Sequence, residues 1–569
     1  MLNHIPVLPL TALGQNLKPN ADKFRSDVSQ LNRDQALKTI ARLNIITEET
    51  SDFESQHLAL QKLIEAELID EMSISRLQKY LARGPSAETF FTRAHAFELF
   101  RAISLWANPE ESLDLFSDSA CHKNKLIRSI LMAYELHSLR VQLPVVNALQ
   151  TLREPNIESL RMLRECCLMR SNICDAVSVL GRGFLFVDQF FFNGPGRDHK
   201  QEFEDNNDMS VEMYRECSTA LLAATSHKKD VIKAGEMESL FDIKLEILCE
   251  QIPHKQEVFQ KFLDLESIKS ADLNKLFVNQ STLDSVSIKG LREKPIFSFL
   301  DNSYIVSDVN LLAERATYGP FFYKTNNDKQ KFEKFGDAFE EYIKQIFNAN
   351  ERSWGFNRVR ATPKDHPRFD LWLESGSVCA IAEIKCKWID DQAVYLSAPD
   401  FWKIVEKKYS ICANEKVGIG QLAEAIKDSL QREIVSSDFN LQNYSRVYPL
   451  LIVHDIHLLT PNIGYLFANN FWDYLNLTPP KLGYHKIKDA TVFSPILLTI
   501  AEVERLETCL GPQTFFDLIT AYCKKDPLRI NGIRSFINPI AGRQSSAYAR
   551  GQSAIDELKD RLFVDQAAN

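Results

Sequence analysis

The sequence has no run of about twenty apolar residues, the length that a membrane-spanning helix requires. Its most apolar stretch, residues 184–192, is interrupted by Asp188 and Gln189. The first ten residues lack the basic segment and the apolar core of a secretory signal. Eleven cysteines occur without a C-x-x-C pair, and an odd, scattered set favours a reducing compartment over a disulfide framework. Together these absences predict a cytoplasmic protein with no membrane partner.

The sequence also lacks an excess of positive charge, since 67 basic residues stand against 76 acidic ones and the net charge is −9. Proteins that coat nucleic acid gain most of their affinity by neutralising phosphates, so this balance argues against a packaging protein. It is compatible with an enzyme that holds phosphate only at its cleft. The glycine-containing segments 181–183 and 194–196 lack the lysine and the helix of a phosphate-binding loop, so no ATPase is predicted.

Glycine is sparse in the first half of the chain, where residues 1–290 contain eight of the twenty. Apolar residues recur there at helical spacing, which predicts an all-α region. Within it, the polar segment 193–209 is expected to be an exposed loop. The region shows no catalytic constellation, and a chain of 569 residues is long enough for two or three domains. Residues 1–290 are therefore expected to bind a protein partner, a substrate or a regulatory trigger.

The pattern changes near Pro295. Apolar runs on either side of residues 301–303 predict a β-hairpin. Helices over 329–348 and 420–435 are predicted among strand-like runs at 358–361, 369–373, 378–385, 447–453 and 492–498. This order is typical of an α/β domain with a central mixed sheet, placed at residues 291–500 and followed by a helical extension over 501–569. The fold class expected for the whole chain is α+β and multidomain.

Two of the predicted strands carry ionisable residues in apolar surroundings. Asp370 lies in the first, and Glu383 and Lys385 end the second, thirteen and fifteen residues later. Because side chains alternate along a strand, Glu383 and Lys385 point to the same face. A hairpin through residues 374–377 would bring Asp370 beside Glu383. The two carboxylates can hold a divalent metal, and the lysine beside them places a cation near water or phosphate. Phosphodiester hydrolysis requires both.

This arrangement resembles the PD-(D/E)XK nuclease superfamily, in which an acid follows a proline-containing approach and an acid-x-lysine lies on the neighbouring strand. The matching segments here are PRFD at 367–370 and EIK at 383–385, with the proline three residues before the acid. Residues 336–343 resemble the Gly-x-x-Phe-Glu helix of many members, which points to Glu340. Gln421 is similar to a glutamine that some members carry on a later helix.

The resemblance covers residues 330–500 and implies a restriction-endonuclease-like fold with Mg²⁺-dependent endonuclease activity, in which Mn²⁺ substitutes. The implied substrate is nucleic acid, DNA rather than RNA. A large helical region beside such a domain also resembles bacterial restriction or anti-phage effectors, where it senses a trigger or binds a partner. A homo-oligomer is compatible with this arrangement.

The resemblance also implies a role for each matching residue. Asp370 and Glu383 would bind the metal with help from Glu340. Lys385 would orient the attacking water or stabilise the charged transition state. Gln421 would contact the substrate.

Two further groups of residues are ambiguous. Arg358, Arg360 and Arg368 belong to segment 354–368, which has four cations and one acid. This segment is either a substrate-binding surface that faces phosphate or an ordinary basic edge. His454 follows the strand at 447–453, where a structural role is more common than a zinc site.

Three alternatives to a DNA nuclease stay open. The site could cut structured RNA such as tRNA, because a metal site recognises only phosphate. The nuclease fold could serve binding or scaffolding without catalysis. Finally, Glu383 and Lys385 could be a solvated edge pair, with Asp370 merely starting a turn. Against this last alternative, charges on strands that look buried are strongly destabilising unless they are paired or bound to metal.

Overall fold

The computed structural model describes residues 20–47, 91, 93–108, 125–126, 128–133, 175–194, 196–233, 243–244, 256–277, 289–323, 328–362, 369–389, 398–412, 415–432, 440–460, 462–511 and 513–563. Over these ranges the chain is a mixed α+β protein, as the sequence predicts. No described helix is both long enough and apolar enough to cross a membrane.

The first part of the described chain is built mainly of helices. They are α1 Ala21–Ser29, α2 Arg33–Ile46, α3 Arg93–Trp106, α4 Ala176–Arg182, α5 Arg197–Asn207, α6 Val211–Lys233, α7 Gln256–Glu266 and α8 Lys289–Glu293. Two π-helical segments, Gly183–Val187 and Gln189–Asn193, continue α4. Polar caps start several helices: the Asn20 side chain accepts hydrogen bonds from the amides of Asp22 and Lys23.

The expectation that residues 1–290 are all-α is wrong. Two short strands, β1 Ile243–Lys244 and β2 Ser267–Lys269, join β3 Ile296–Ser298 and β4 Ser303–Val306 in a four-stranded sheet of order β1-β4-β3-β2. The hairpin β3–β4 is confirmed and is antiparallel. Strands of two and three residues are too short to show a period of two, so the sequence pattern could not reveal them. A boundary at residue 290 would divide this sheet.

The predicted loop at 193–209 is also wrong, because residues 197–207 form α5. Phe203 is buried at 1% exposure, while most residues of α5 are partly or fully exposed. A single apolar anchor on a polar helix is too weak a periodic signal to be recognised in the sequence.

The second part of the chain contains the predicted mixed sheet, which has seven strands. They are β5 Arg358–Ala361, β6 Leu371–Ser375, β7 Val378–Lys385, β10 Arg446–Val453, β11 Tyr484–Ile487, β12 Ala490–Phe493 and β13 Ile496–Thr499. The order is β11-β12-β10-β7-β6-β5, with β13 also paired to β10. Strands β5, β6 and β7 are antiparallel neighbours, and β7 runs parallel to β10. The run predicted at 492–498 is two strands separated at Pro495, which has no amide to donate to a ladder.

The helices of the second part are α9 Val309–Phe322, α10 Asp328–Ala349, α11 Ala398–Tyr409, α12 Ile419–Ile426, α13 Ile463–Tyr474, α14 Ile500–Cys509, α15 Phe515–Lys525 and α16 Ser546–Phe563. Helices α10 and α14 pack on one face of the sheet, and α11, α12 and α13 pack on the other. A small hairpin, β8 Ile411–Cys412 with β9 Glu415–Lys416, lies between α11 and α12. Alternate residues of β7 separate into two cores. Ala380 and Ala382 pack with the cluster that contains α10 and α14, and Ile381 packs with the cluster under α11, α12 and α13.

The first of these cores is shared by all three predicted segments, because it runs from Phe24 in α1 to Leu558 in α16. Helices α4 and α16 approach closely at glycine: a Cβ added to Gly181 would lie 1.7 Å from the carbonyl oxygen of Ala547. Helix α16, in the predicted helical extension, is thus packed against the N-terminal helix α4.

Candidate active site

The hairpin β6–β7 sets Asp370 beside Glu383. Asp370 directly precedes β6, and its amide donates to the carbonyl oxygen of Ala382 at 2.8 Å. Its Oδ2 accepts a hydrogen bond from the amide of Ile384 at 2.7 Å. These two contacts are made to the residues on either side of Glu383. The turn between the strands contains Gly376 at φ +58°, a backbone conformation that favours glycine.

Glu383 is a buried carboxylate at 1% exposure. Nζ of Lys385 forms an ion pair with its Oε1, whereas its Oε2 has no hydrogen-bond partner among the described residues. Burial raises the pKa of Glu383 to about 8; the Lys385 cation opposes that rise and the Asp370 carboxylate adds to it. Without a further cation, the protonated form of Glu383 is therefore favoured at neutral pH.

Lys385 and Asp370 belong to the same electrostatic cluster. Burial lowers the pKa of Lys385, but the carboxylates of Glu383 and Asp370 raise it by more, so the pKa of the lysine is raised overall. The pKa of Asp370 is also raised, mainly by burial. The Lys385 cation opposes this rise, and the Glu340 carboxylate adds to it. The structure thus brings Asp370, Glu383 and Lys385 together at one end of β7, and Lys385 is protonated at neutral pH.

Glu340 lies on α10 with its side chain 30% exposed and forms an ion pair with Lys344, one helical turn later. Its charge acts on Asp370, Glu383 and Lys385, so it belongs to the surroundings of the site. Lys344 was not singled out in the sequence, although its i,i+4 spacing from Glu340 is a recognisable signal.

The donor set fits a hard divalent cation that keeps open coordination positions. No group of three or more His, Cys, Asp or Glu side chains placed to hold a metal occurs in the part of the chain that the structure describes. Mg²⁺ commonly binds one or two carboxylates and fills its remaining positions with water and phosphate. Asp370 and Glu383 supply two such carboxylates, and Oε2 of Glu383 is buried with no partner in the described residues. A bound dication would favour the ionised form of both groups.

The predicted substrate-binding residues are placed less favourably. The side-chain oxygen of Gln421 accepts a hydrogen bond from the Gly418 amide at 2.9 Å, which caps α12. Arg358 is exposed on β5. Arg360 lies 3.4 Å from Glu374 and over the ring of Trp372 at 5.6 Å, so its guanidinium is engaged within the sheet. Arg368 lies outside the described residues.

His454 follows β10 and is buried at 4% exposure. Its amide donates to the carbonyl oxygen of Lys385 at 3.3 Å, and its Nε2 lies 3.2 Å from the hydroxyl of Tyr318. Burial lowers the pKa of His454 to about 3, so its ring is neutral at physiological pH. These contacts connect the end of β7 with α9.

No family model matches the chain, and no curated protein or solved structure is similar to it.

Proposed function

We propose that the chain hydrolyses phosphodiester bonds of nucleic acid with Mg²⁺, and that its second part is a nuclease domain with a restriction-endonuclease-like fold. DNA is the favoured substrate, and restriction or anti-phage defence is the favoured setting. The observation that carries the proposal is the buried cluster of Asp370, Glu383 and Lys385, in which Oε2 of Glu383 has no partner among the described residues.

The chain's own residues have separate roles in this proposal. Asp370 is oriented by the Ile384 amide and Glu383 by burial in the sheet, and both carboxylates would bind the metal. Lys385 holds a proton on Nζ and places a positive charge where negative charge develops on the phosphate. A bound Mg²⁺ would supply Lewis-acid activation and lower the pKa of a coordinated water. Glu340 would assist from α10, with its charge balanced by Lys344.

The order of elements supports the fold proposed. Helix α10 is followed by the antiparallel strands β5, β6 and β7, then by α11, the β8–β9 hairpin, α12 and the strand β10, which runs parallel to β7. This order is similar to the core that the superfamily resemblance implies. Asp370, directly before β6, lies beside Glu383 on the neighbouring strand β7, and this placement supports the resemblance.

A binding or scaffolding role is the second candidate. It is favoured by one observation, the ion pair between Lys385 and Glu383, which neutralises the buried carboxylate without a metal. In that case the cluster would contribute to the structure and not to chemistry.

The experiment that tests the proposal is a cleavage assay on the full chain. Plasmid DNA, linear DNA and total RNA are each incubated with Mg²⁺, with Mn²⁺ and with a chelator. We expect cleavage of DNA with either metal and none with the chelator. Cleavage of RNA alone would move the substrate assignment to the RNA alternative. Intact substrates under all conditions would contradict the proposal and favour the scaffold.

A further inference from the structure

A cavity of about 490 Å³ lies between the N-terminal helices and the ends of β7 and β10. Its lining comes mainly from α4, α8 and α9 on one side and from residues that follow the two strands on the other, with Leu265 of α7 and Ile500 of α14. None of the four proposed active-site residues lines it. Cavities of this size with a largely apolar lining and a few polar groups are typical small-molecule sites.

Aromatic side chains form one wall of the cavity. The ring centroids of Trp388 and Phe322 are 5.0 Å apart, and those of Trp388 and Tyr318 are 5.7 Å apart. Tyr323 also lines the cavity. Phe322 is 42% exposed, which is unusual for so large an apolar side chain beside a cavity. Such a wall favours a planar ring that stacks on it.

Two buried polar atoms on lining residues have no partner in the described part of the chain. They are Nε1 of Trp388 and Nδ1 of His454. His454 is 4% exposed, and its ring centroid lies 4.2 Å from that of Trp388. Buried polar groups normally have a hydrogen-bond partner, and a pair without one indicates a ligand that supplies it. The indole N–H requires an acceptor, which a heteroaromatic ring offers in its own plane.

The charged side chains around the cavity do not indicate a highly charged ligand. Three arginines line it, and each is paired with a glutamate: Arg182 with Glu504 at 2.6 Å, Arg292 with Glu314 at 2.8 Å and Arg315 with Glu266 at 2.7 Å. The charge of these arginines is largely neutralised within the protein. Two lysines, Lys289 and Lys294, also line the cavity together with the acids Glu293 and Asp455, and Lys294 donates a hydrogen bond to the carbonyl oxygen of Leu265. A neutral ring therefore matches the lining better than a polyphosphate does.

We infer that this cavity binds a planar heteroaromatic ligand of nucleobase size, which stacks on the aromatic wall and hydrogen-bonds to Trp388 and His454. The ligand would contact both parts of the chain. Trp388 follows Lys385 by three residues, and the amide of His454 donates to the carbonyl oxygen of Lys385. Occupation of the cavity would therefore bias the position of the end of β7. This second step rests on the proposed function, whereas ligand binding does not.

Binding is tested by calorimetry on the full chain with adenine, adenosine and adenosine 5′-monophosphate as probes. We expect one site per chain and similar affinities for the last two, because the arginines are already paired. Phe322→Ala should weaken binding about tenfold, since it removes part of the stacking surface. Phe332→Ala is the matched control, because Phe332 is 40% exposed on the neighbouring α10 and does not line the cavity.

Trp388→Phe keeps an aromatic ring but removes the N–H donor, so it should also weaken binding while the chain remains folded. Absence of binding by all three probes at millimolar concentration would overturn the inference. So would equal losses in Phe322→Ala and Phe332→Ala, or binding of the monophosphate alone.

The coupling to the active site is tested separately, by cleavage with and without saturating adenosine. A change in cleavage rate of at least about twofold would support coupling, since ligand binding and cleavage would both depend on the position of the end of β7. An unchanged rate would overturn the coupling but not the ligand site. If the chain cleaves nothing, the proposed function fails, and the calorimetry still decides whether the cavity binds a ligand.

Discussion

Glu504 and Glu383 are both buried and paired with cations, and their two pairs differ. Glu504 is engaged by Arg182 through two hydrogen bonds of 2.6 and 2.8 Å and by the Tyr342 hydroxyl at 3.0 Å. Glu383 contacts Lys385 through one oxygen, and its other oxygen has no partner in the described residues. Burial raises the pKa of both carboxyls.

The difference distinguishes a structural ion pair, in which both carboxylate oxygens are bonded, from an open pair, in which one oxygen has no partner in the described residues. The Arg182–Glu504 pair connects α4 with α14 and satisfies its buried oxygens, as a purely structural pair must. The Glu383–Lys385 pair leaves Oε2 of Glu383 without a partner in the described residues, in a cluster that also holds Asp370. An unsatisfied buried carboxylate is a destabilising feature that proteins retain mainly at functional sites. The comparison therefore supports a functional site at the end of β7.

The largest effect on stability is expected from Arg182→Met. It would leave Glu504 buried without its cation, and such a loss typically costs about 3–5 kcal/mol of unfolding free energy. Denaturant unfolding measures it. The control is Lys403→Met, because Lys403 is 74% exposed in its pair with Asp400, which is 53% exposed, and its loss should leave stability almost unchanged. Equal losses in the two variants would show that the buried pair is not a structural link.

A smaller loss is expected from Gly181→Ala, directly before Arg182. The new Cβ would lie 1.7 Å from the carbonyl oxygen of Ala547, so α4 and α16 would have to separate. Overpacking of this kind typically costs about 1–3 kcal/mol. Gly336→Ala is the control, because a Cβ there meets nothing within 4 Å and α10 should tolerate or gain from it. Melting temperatures of the two variants that agree within experimental error would contradict the close packing of α4 and α16.

The open pair predicts a pH effect in metal-free protein. The pKa of Glu383 is raised from 4.5 to about 8 by burial. The neutral form is therefore favoured by folding, and the stability it contributes is complete below pH 4.5 and lost as pH rises towards about 8. Glu383→Gln should unfold at the same temperature as wild type near pH 4 and roughly 2–4 °C higher above pH 8.

Melting curves in chelator from pH 4 to pH 9 test this prediction. Addition of Mg²⁺ should reduce the difference at high pH by stabilising the ionised wild type. A difference that is constant across the pH range would mean that Glu383 does not titrate in the way its burial indicates.

The smallest structural effect is expected from Glu340→Gln. The side chain is 30% exposed, so the fold should be unaffected, while cleavage should fall about tenfold if Glu340 assists the metal. Glu341→Gln is the control on the same helix, because Glu341 is exposed. Equal activity of the two variants would show that the likeness of residues 336–343 to the superfamily helix is accidental.

The sequence predicts the elements with a strong and long period. Helix α10 was expected at 329–348 and spans Asp328–Ala349, and β7 has the predicted bounds. The expected strand at 369–373 begins two residues later, since Asp370 bonds to the backbone of β7 outside the β6 ladder. Elements without a period, such as β1 and β2, could not be predicted in this way.

The proximity of Asp370, Glu383 and Lys385 could be predicted because these residues lie within a short segment that forms one hairpin. Two features were missed. The i,i+4 spacing of Glu340 and Lys344 is compatible with their ion pair, but this spacing is common on helix surfaces and does not by itself indicate a contribution to a site. The cavity is lined by residues from Val179 to Ile500, and only the folded chain brings positions so far apart in sequence together.

The central claim is that Lys385 acts in phosphodiester hydrolysis, and the most direct measurement is the single-turnover rate of cleavage for two matched lysine variants. Lys385→Ala removes the cation beside Glu383, and Lys387→Ala removes an exposed cation two residues later on the same segment. With Mg²⁺ at saturation, the account predicts a rate loss of about 10²–10³-fold in Lys385→Ala and a rate like wild type in Lys387→Ala. Rates that are equal in the two variants, with both proteins folded, would contradict it.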